Sequence, residues 1–173
     1  MLIIPPPLAA TLIDQALSGF PGEICGLLFA AVHGGDTAVR VLAMDNLADR
    51  LHALDPVEHP YTSRSYFSMN EKKVSMAVEA ASAVGERWLA IYHSHINCGA
   101  YFSAEDIAAA APDGVCVYPQ LWQVVIDVRG GDASPGQSVP EAKAFRWDGM
   151  RFADHGPIAG LTRVGSRTAE DRR

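Results

Sequence analysis

The sequence has little cysteine, no concentrated positive charge and no long apolar run, and each shortage narrows what the chain does. Its three cysteines, Cys25, Cys98 and Cys116, form an odd count without a CxxC pair. That pattern points to reduced thiols and an intracellular location. The formal net charge is −6, and no Lys/Arg cluster is present. A phosphate backbone demands a basic patch, so nucleic acid is not an expected partner. No window approaches the roughly 18 continuous apolar residues that cross a bilayer. The N-terminal stretch MLIIPPPLAA has no basic start and is broken by three prolines, so it does not read as a secretory signal. A soluble cytoplasmic protein without membrane contact is expected.

What is present suits one ordinary globular domain. The chain has 173 residues, long enough for a full core, with 49% hydrophobic and 20% charged residues. No repeat occurs, and no Pro-, Gly- or Ser-rich linker divides the chain. A single domain over residues 1–160 is expected, followed by a flexible tail over 161–173 that ends in the mixed-sign run RTAEDRR.

Periodicity places the elements. Leu8, Leu12, Ile13, Ala16, Leu17 and Phe20 fall on one helical face, predicting a helix from Leu8 to Phe20 that Pro21-Gly22 stops. The apolar run Glu23–Val32 predicts a buried strand, and Thr37–Asn46 pairs back after the turn His33–Asp36. Leu47–Ser65 shows no period and reads as an irregular connection. Met69–Arg87 predicts a second helix, with Asn70 as its N-cap. Trp88–His95 predicts a strand, Ser103–Ala111 a short helix, and Leu121–Arg129 another strand. Gly130–Pro140 reads as a flexible loop, and Glu141–Phe152 as a hairpin turning at Asp148-Gly149. The fold class is mixed α/β.

The chemistry concentrates in IYHSHINCGAYFSAED, Ile91–Asp106. Side chains alternate along a strand, so His93 and His95 point the same way and Ser94 points opposite. Two imidazoles leaving a strand end together make half of a tetrahedral zinc site. Ser103 is a natural N-cap for the next helix, and Asp106 falls in its first turn. Each has a plain reading, the serine as a cap and the aspartate as a first-turn acid favoured by the helix dipole. The loop between them can also fold back and bring Asp106 to the histidines.

The pattern HSH, seven residues, Ser, two residues, Asp resembles the signature of the JAMM metalloproteases, the catalytic MPN-plus branch of the MPN domain family. The segment GEICGLLF adds Glu23 before Gly26-Leu27-Leu28, as in that family's upstream motif. The resemblance runs from about Leu8 to Phe152. It implies a central β-sheet flanked by helices, with a cytidine-deaminase-like layered architecture. It also implies one catalytic Zn²⁺ held by His93, His95 and Asp106, with water in the fourth position. Glu23 would be the general base and Ser103 the oxyanion donor. Two positions depart from the family: Ile96 and Phe102 stand where proline is frequent. Cys98 lies in the same loop, either as a small semi-buried residue or as a regulatory thiolate close to zinc.

By the same resemblance, the enzyme would hydrolyse a peptide or isopeptide bond after the C-terminal glycine of a ubiquitin-like protein. The partner is either a ubiquitin-like modifier or a sulfur-carrier protein with a Gly-Gly C-terminus, and the sequence does not choose. Leu47–Ser65 and the loop after Asp106 are the expected docking walls. The oligomeric state stays open, a homodimer included. A non-catalytic MPN scaffold is the competing class, although all five motif positions are filled. Neither HExxH nor the HxE and PCxxC set of zinc deaminases occurs.

Overall fold

The computed structural model describes residues 1–131 and 136–163. The chain opens with α1 (Pro6–Gly19), which starts two residues before the predicted helix. Pro6 and Pro7 occupy its first turn, where no backbone N–H needs an intrahelical partner and the fixed proline φ suits the helix. β1 (Cys25–Ala31) and β2 (Ala38–Met44) follow as an antiparallel pair.

The region expected to be irregular, Leu47–Ser65, contains a two-turn helix, α2 (Ala48–Leu54). Seven residues are too few to show a period. The helix is positioned by Asn46, whose Oδ1 accepts the Ala48 N–H at 3.0 Å.

Asn70 caps α3 (Glu71–Ala83) as predicted, its Oδ1 accepting the Lys73 N–H at 3.0 Å. The helix stops short of Arg87, because Gly85 turns the chain at φ +78° and Glu86 begins β3 (Glu86–Ile96). Glu86 and Arg87 read as helical charges, yet they serve the strand. Glu86 pairs with Arg40 and Arg87 with Asp36.

The remaining elements are α4 (Ala104–Ala110), a 3-10 turn at Pro112–Gly114, β4 (Trp122–Arg129), β5 (Ser138–Trp147) and β6 (Phe152–Pro157). The β5–β6 hairpin turns at Asp148-Gly149 as expected. Asp148 Oδ1 accepts the N–H groups of Met150 and Arg151, both at 2.9 Å. The loop expected over Gly130–Pro140 is shorter, since β5 already begins at Ser138; residues 132–135 lie outside the described residues. Of the expected tail, residues 164–173 lie outside them as well. Its start is attached to the domain: Leu161 is buried, and Arg163 exchanges backbone hydrogen bonds with Val139, both at 2.7 Å.

The six strands form one mixed sheet in the order β2-β1-β3-β4-β5-β6. β3 lies inside it, antiparallel to β1 and parallel to β4. A parallel pair requires a crossover, and here the crossover carries α4. Alternation divides the strands between two faces. Leu28, Ala90, Tyr92, Val124 and Ile126 pack with Leu12, Ile13 and Ala16 of α1. Leu27 and Phe29 face α3 on the other side, with Ile91 and Trp88 packed beside them. His93 and His95 continue the Ile91 row, so they emerge on the α3 face, next to the crossover.

Gly26 shows how tightly this centre is built. A Cβ there would collide with the Leu42 carbonyl and the Tyr92 ring. Glycine is therefore a steric requirement of the CGLL segment.

Candidate metal centre

Three elements bring the site together. The end of β3 supplies His93 and His95, the start of α4 supplies Asp106, and the residues before β1 supply Glu23. All four are buried although all are polar.

The ligand atoms converge. The two imidazole Nε2 atoms lie 3.2 Å apart. Asp106 Oδ1 is 3.3 Å from His93 Nε2, and its Oδ2 is 3.3 Å from His95 Nε2. Donors about 2.0–2.2 Å from a tetrahedral zinc stand roughly 3.3 Å from one another. The three side chains thus already hold the spacing of a shared cation, and two imidazoles with one carboxylate are a borderline donor set that suits zinc.

Asp106 does two jobs. Its carboxylate accepts the Ser103 N–H at 2.8 Å, while Ser103 Oγ accepts the Asp106 N–H at 3.0 Å, a complete capping box. The capping role and the role facing the histidines belong to one side chain, and the cap fixes where its oxygens point. Ser103 Oγ uses an acceptor site in this cap and keeps its own proton free to donate outward.

Electrostatics follow from burial and neighbours. Burial would raise the Asp106 pKa, but the His93 charge, hydrogen bonds from both histidines and the Ser103 N–H outweigh it and hold the carboxyl well below its usual range. Burial keeps His93 below 6.5 against the pull of Asp106. His95 is drawn down by burial too, yet the Asp106 hydrogen bond and charge, Glu23 and the Gly99 carbonyl together raise it. Glu23 is pushed up to about 8, chiefly by burial; the His95 charge opposes this and Asp106 adds to it. A carboxyl with that proton affinity is a competent proton acceptor near neutrality.

The backbone around Glu23 is clamped. Its N–H donates to the Ser63 carbonyl at 2.6 Å, and its own carbonyl accepts from Asn46 Nδ2 at 3.0 Å. Asn46 also donates to the Tyr66 carbonyl at 2.9 Å and accepts the Ser68 N–H at 3.1 Å. One amide thereby ties the β1 entrance to the segment that carries Phe67.

The sequence reading missed several residues that build the site. Phe67 stacks on the His93 ring with centroids 4.5 Å apart. Nothing in its local pattern announces that role. Asp127 is buried on β4 in register with His95. A lone acid inside the apolar run LWQVVIDVR was the available signal. The two departures from the family pattern have structural readings. Ile96 extends β3 and pairs with Val128, and Phe102 packs against the rings of Phe145 and Phe152.

Cys98 is exposed, and among the described residues the group that could hold a cation comprises His93, His95 and Asp106. Burial raises its thiol pKa, a Tyr101 hydrogen bond opposing, so the group is protonated at neutral pH.

Two cavities flank Tyr66, of about 520 and 420 Å³. One lies between α4 and the Ala48–Tyr61 segment, and the other reaches Asp106 from the Phe67 side. Residues of Leu47–Ser65 line the first cavity, opposite α4. Among the described residues, no helix is long and apolar enough to cross a membrane.

Fold and site define a class: a mixed α/β domain with a His-x-His strand end, an acid-bearing crossover helix and a buried upstream glutamate around one candidate cation site. The profile described as prokaryotic homologs of the JAB domain matches residues 5–146, and the chain belongs to that family. The desampylase of Pyrococcus furiosus is 28% identical over 124 residues, covering 72% of this chain and 73% of that protein. A solution structure from Desulfitobacterium hafniense superposes with a TM-score of 0.61 at 23% identity, covering 90% of each chain. One from Salinibacter ruber gives 0.57 at 18% identity, covering 95% of this chain and 97% of that one. Both share the fold.

Proposed function

We propose that the protein is a zinc-dependent hydrolase that cleaves a peptide or isopeptide bond after the C-terminal glycine of a ubiquitin-like protein. The observation that carries this reading is the convergence of His93, His95 and Asp106, at 3.2–3.3 Å between ligand atoms, in a buried site where Glu23 feels their charges. Membership of the JAB family and the likeness to a desampylase support hydrolysis of ubiquitin-like adducts.

When bound, zinc supplies a Lewis acid that polarises a carbonyl and makes water acidic near neutrality. His93 Nε2, His95 Nε2 and Asp106 would hold it. Glu23 takes the proton of the attacking water on its carboxylate and delivers it to the leaving amine. Ser103 donates its hydroxyl to the oxygen on which negative charge develops. Phe67 covers one face of the His93 ring and keeps bulk water from that side. An extended Gly-Gly tail suits a site reached between packed walls, because glycine lets the backbone approach closely. The same chemistry serves a modifier protein conjugated to a target and a sulfur-carrier protein bearing a C-terminal adduct.

The test uses purified protein, its zinc content and a ubiquitin-like protein ending in Gly-Gly joined to a lysine side chain. Stoichiometric zinc and cleavage after the terminal glycine are expected. Glu23→Gln should keep the zinc and lose roughly 10²–10⁴-fold in rate. Protein without stoichiometric zinc would favour the non-catalytic scaffold instead.

A further inference from the structure

We infer that Asp127 is a positioning residue for the His95 ligand and acts through the backbone of Gly99. The inference rests on the reading of His93, His95 and Asp106 as metal ligands and deepens it. The two histidines leave one strand, yet they are oriented by different means. His93 Nδ1 is buried with no hydrogen-bond partner among the described residues, and its ring is held by stacking on Phe67. His95 Nδ1 faces the Gly99 carbonyl at 3.1 Å. With that bond the Nδ1 carries the proton and Nε2 is left as the free lone pair, the tautomer a cation needs.

Gly99 is itself fixed from β4. Its N–H donates to Asp127 Oδ1 at 3.0 Å, and Asp127 Oδ2 accepts from Arg129 Nε at 2.7 Å. Arg129 Nη1 reaches back to the Asn97 carbonyl at 3.0 Å, closing the ring of contacts around the loop. Asp127 lies in register with His95 on the neighbouring parallel strand, so its side chain rises on the same face. It is 2% exposed, where a carboxylate is retained only with partners.

The N–H and the C=O of Gly99 belong to different peptide units. The link therefore transmits position rather than polarisation: Asp127 sets where Gly99 stands, and Gly99 sets the His95 ring. Gly99 adopts φ +106°, which glycine reaches without a Cβ penalty, so the loop can turn its carbonyl toward His95 at this position.

The experiment compares zinc affinity, by competition with a chromophoric chelator, and the visible absorption of the cobalt(II)-loaded protein. The variants are Asp127→Ala, Asp127→Thr and Asp127→Asn; threonine suits the strand if alanine fails to fold. The Ala and Thr variants are expected to bind zinc about 10–100-fold more weakly and to show an altered cobalt spectrum. The Asn variant keeps an acceptor for the Gly99 N–H and should recover affinity to within about threefold. Wild-type affinity and spectrum in the Ala and Thr variants would overturn the inference while leaving the metal reading intact. So would equal losses of melting temperature in all three variants without any change in metal binding, the mark of a purely structural role. Wild-type protein that binds neither ion would overturn both.

Discussion

Ser94 and Ile24 exchange two hydrogen bonds across the β1–β3 boundary: the Ser94 N–H donates to the Ile24 carbonyl at 3.0 Å, and Ser94 Oγ accepts the Ile24 N–H at 2.9 Å. Ser94 is the middle residue of the His-Ser-His run and is fully buried on the face opposite the ligands. It locks the residue next to Glu23. Replacing Ser94 by Ala strands the Ile24 N–H and should cost about 1–3 kcal/mol of stability. Turnover should fall more than zinc content, because the loosened group is the proposed base and not a proposed ligand. Chemical denaturation beside zinc analysis checks this, and unchanged stability with normal turnover would refute the role.

The stability of the metal-free protein should depend on pH through Glu23. Its folded pKa of about 8 stands above the ordinary carboxyl value of 4.5. The neutral acid is the form the fold prefers. Its contribution is therefore complete below 4.5 and is lost as pH rises to about 8. Each unit of such a shift corresponds to about 1.4 kcal/mol. Urea midpoints of the apo protein should decline across that window, and Glu23→Gln should remove this part of the decline. Parallel curves for the two proteins would show that Glu23 does not titrate there.

Zinc affinity should weaken on acidification. A ligand imidazole must be unprotonated, and the site raises His95 above 6.5, largely through Asp106 once its own burial is overcome. Affinity is thus fullest above the folded His95 pKa and falls as pH drops through it. Isothermal titration at several pH values, corrected for buffer protonation, reads this directly.

Removing the shared carboxylate should abolish both metal binding and activity. Asp106→Ala deletes a proposed ligand and half of the α4 capping box, so a loss of about 1 kcal/mol of helix stability should accompany the metal loss. Asp106→Asn keeps an acceptor for the Ser103 N–H and separates the two effects. It should retain more stability while still binding zinc poorly, as zinc analysis and thermal melts would show.

Asn46→Ala should be among the more damaging single changes away from the ligands. The side chain makes four hydrogen bonds to the backbone of Glu23, Tyr66, Ala48 and Ser68. Losing them should destabilise the protein by about 2–4 kcal/mol. Lower turnover at saturating zinc should follow, since Glu23 and Phe67 are both released. A variant as stable as wild type would contradict the hub.

Much of this protein is set locally and was legible in order. Apolar alternation placed β1, β3 and β4, helical spacing placed α1 and α3, and Asn70 and Asp148-Gly149 performed the cap and turn their chemistry favours. His93, His95, Ser103 and Asp106 stood out by their joint spacing behind an apolar strand, and Glu23 only through the family resemblance. Short elements and exact ends escaped: α2 has no room to show a period, and the chain turns at Gly85 where the expected helix ran on to Arg87.

Tertiary structure alone decided what surrounds those residues. Asp127 lies more than thirty positions from His95 in the chain and becomes its neighbour only because β4 pairs parallel to β3. Phe67 reaches His93 only because Asn46 ties down an otherwise featureless segment. The sequence by itself determined which side chains could hold a cation, since strand alternation and helix capping are near-neighbour effects. Their spacing at the donor-to-donor distance of a tetrahedral zinc, the burial that raises Glu23 and the contacts that orient each imidazole arise from long-range packing, which no local periodicity encodes.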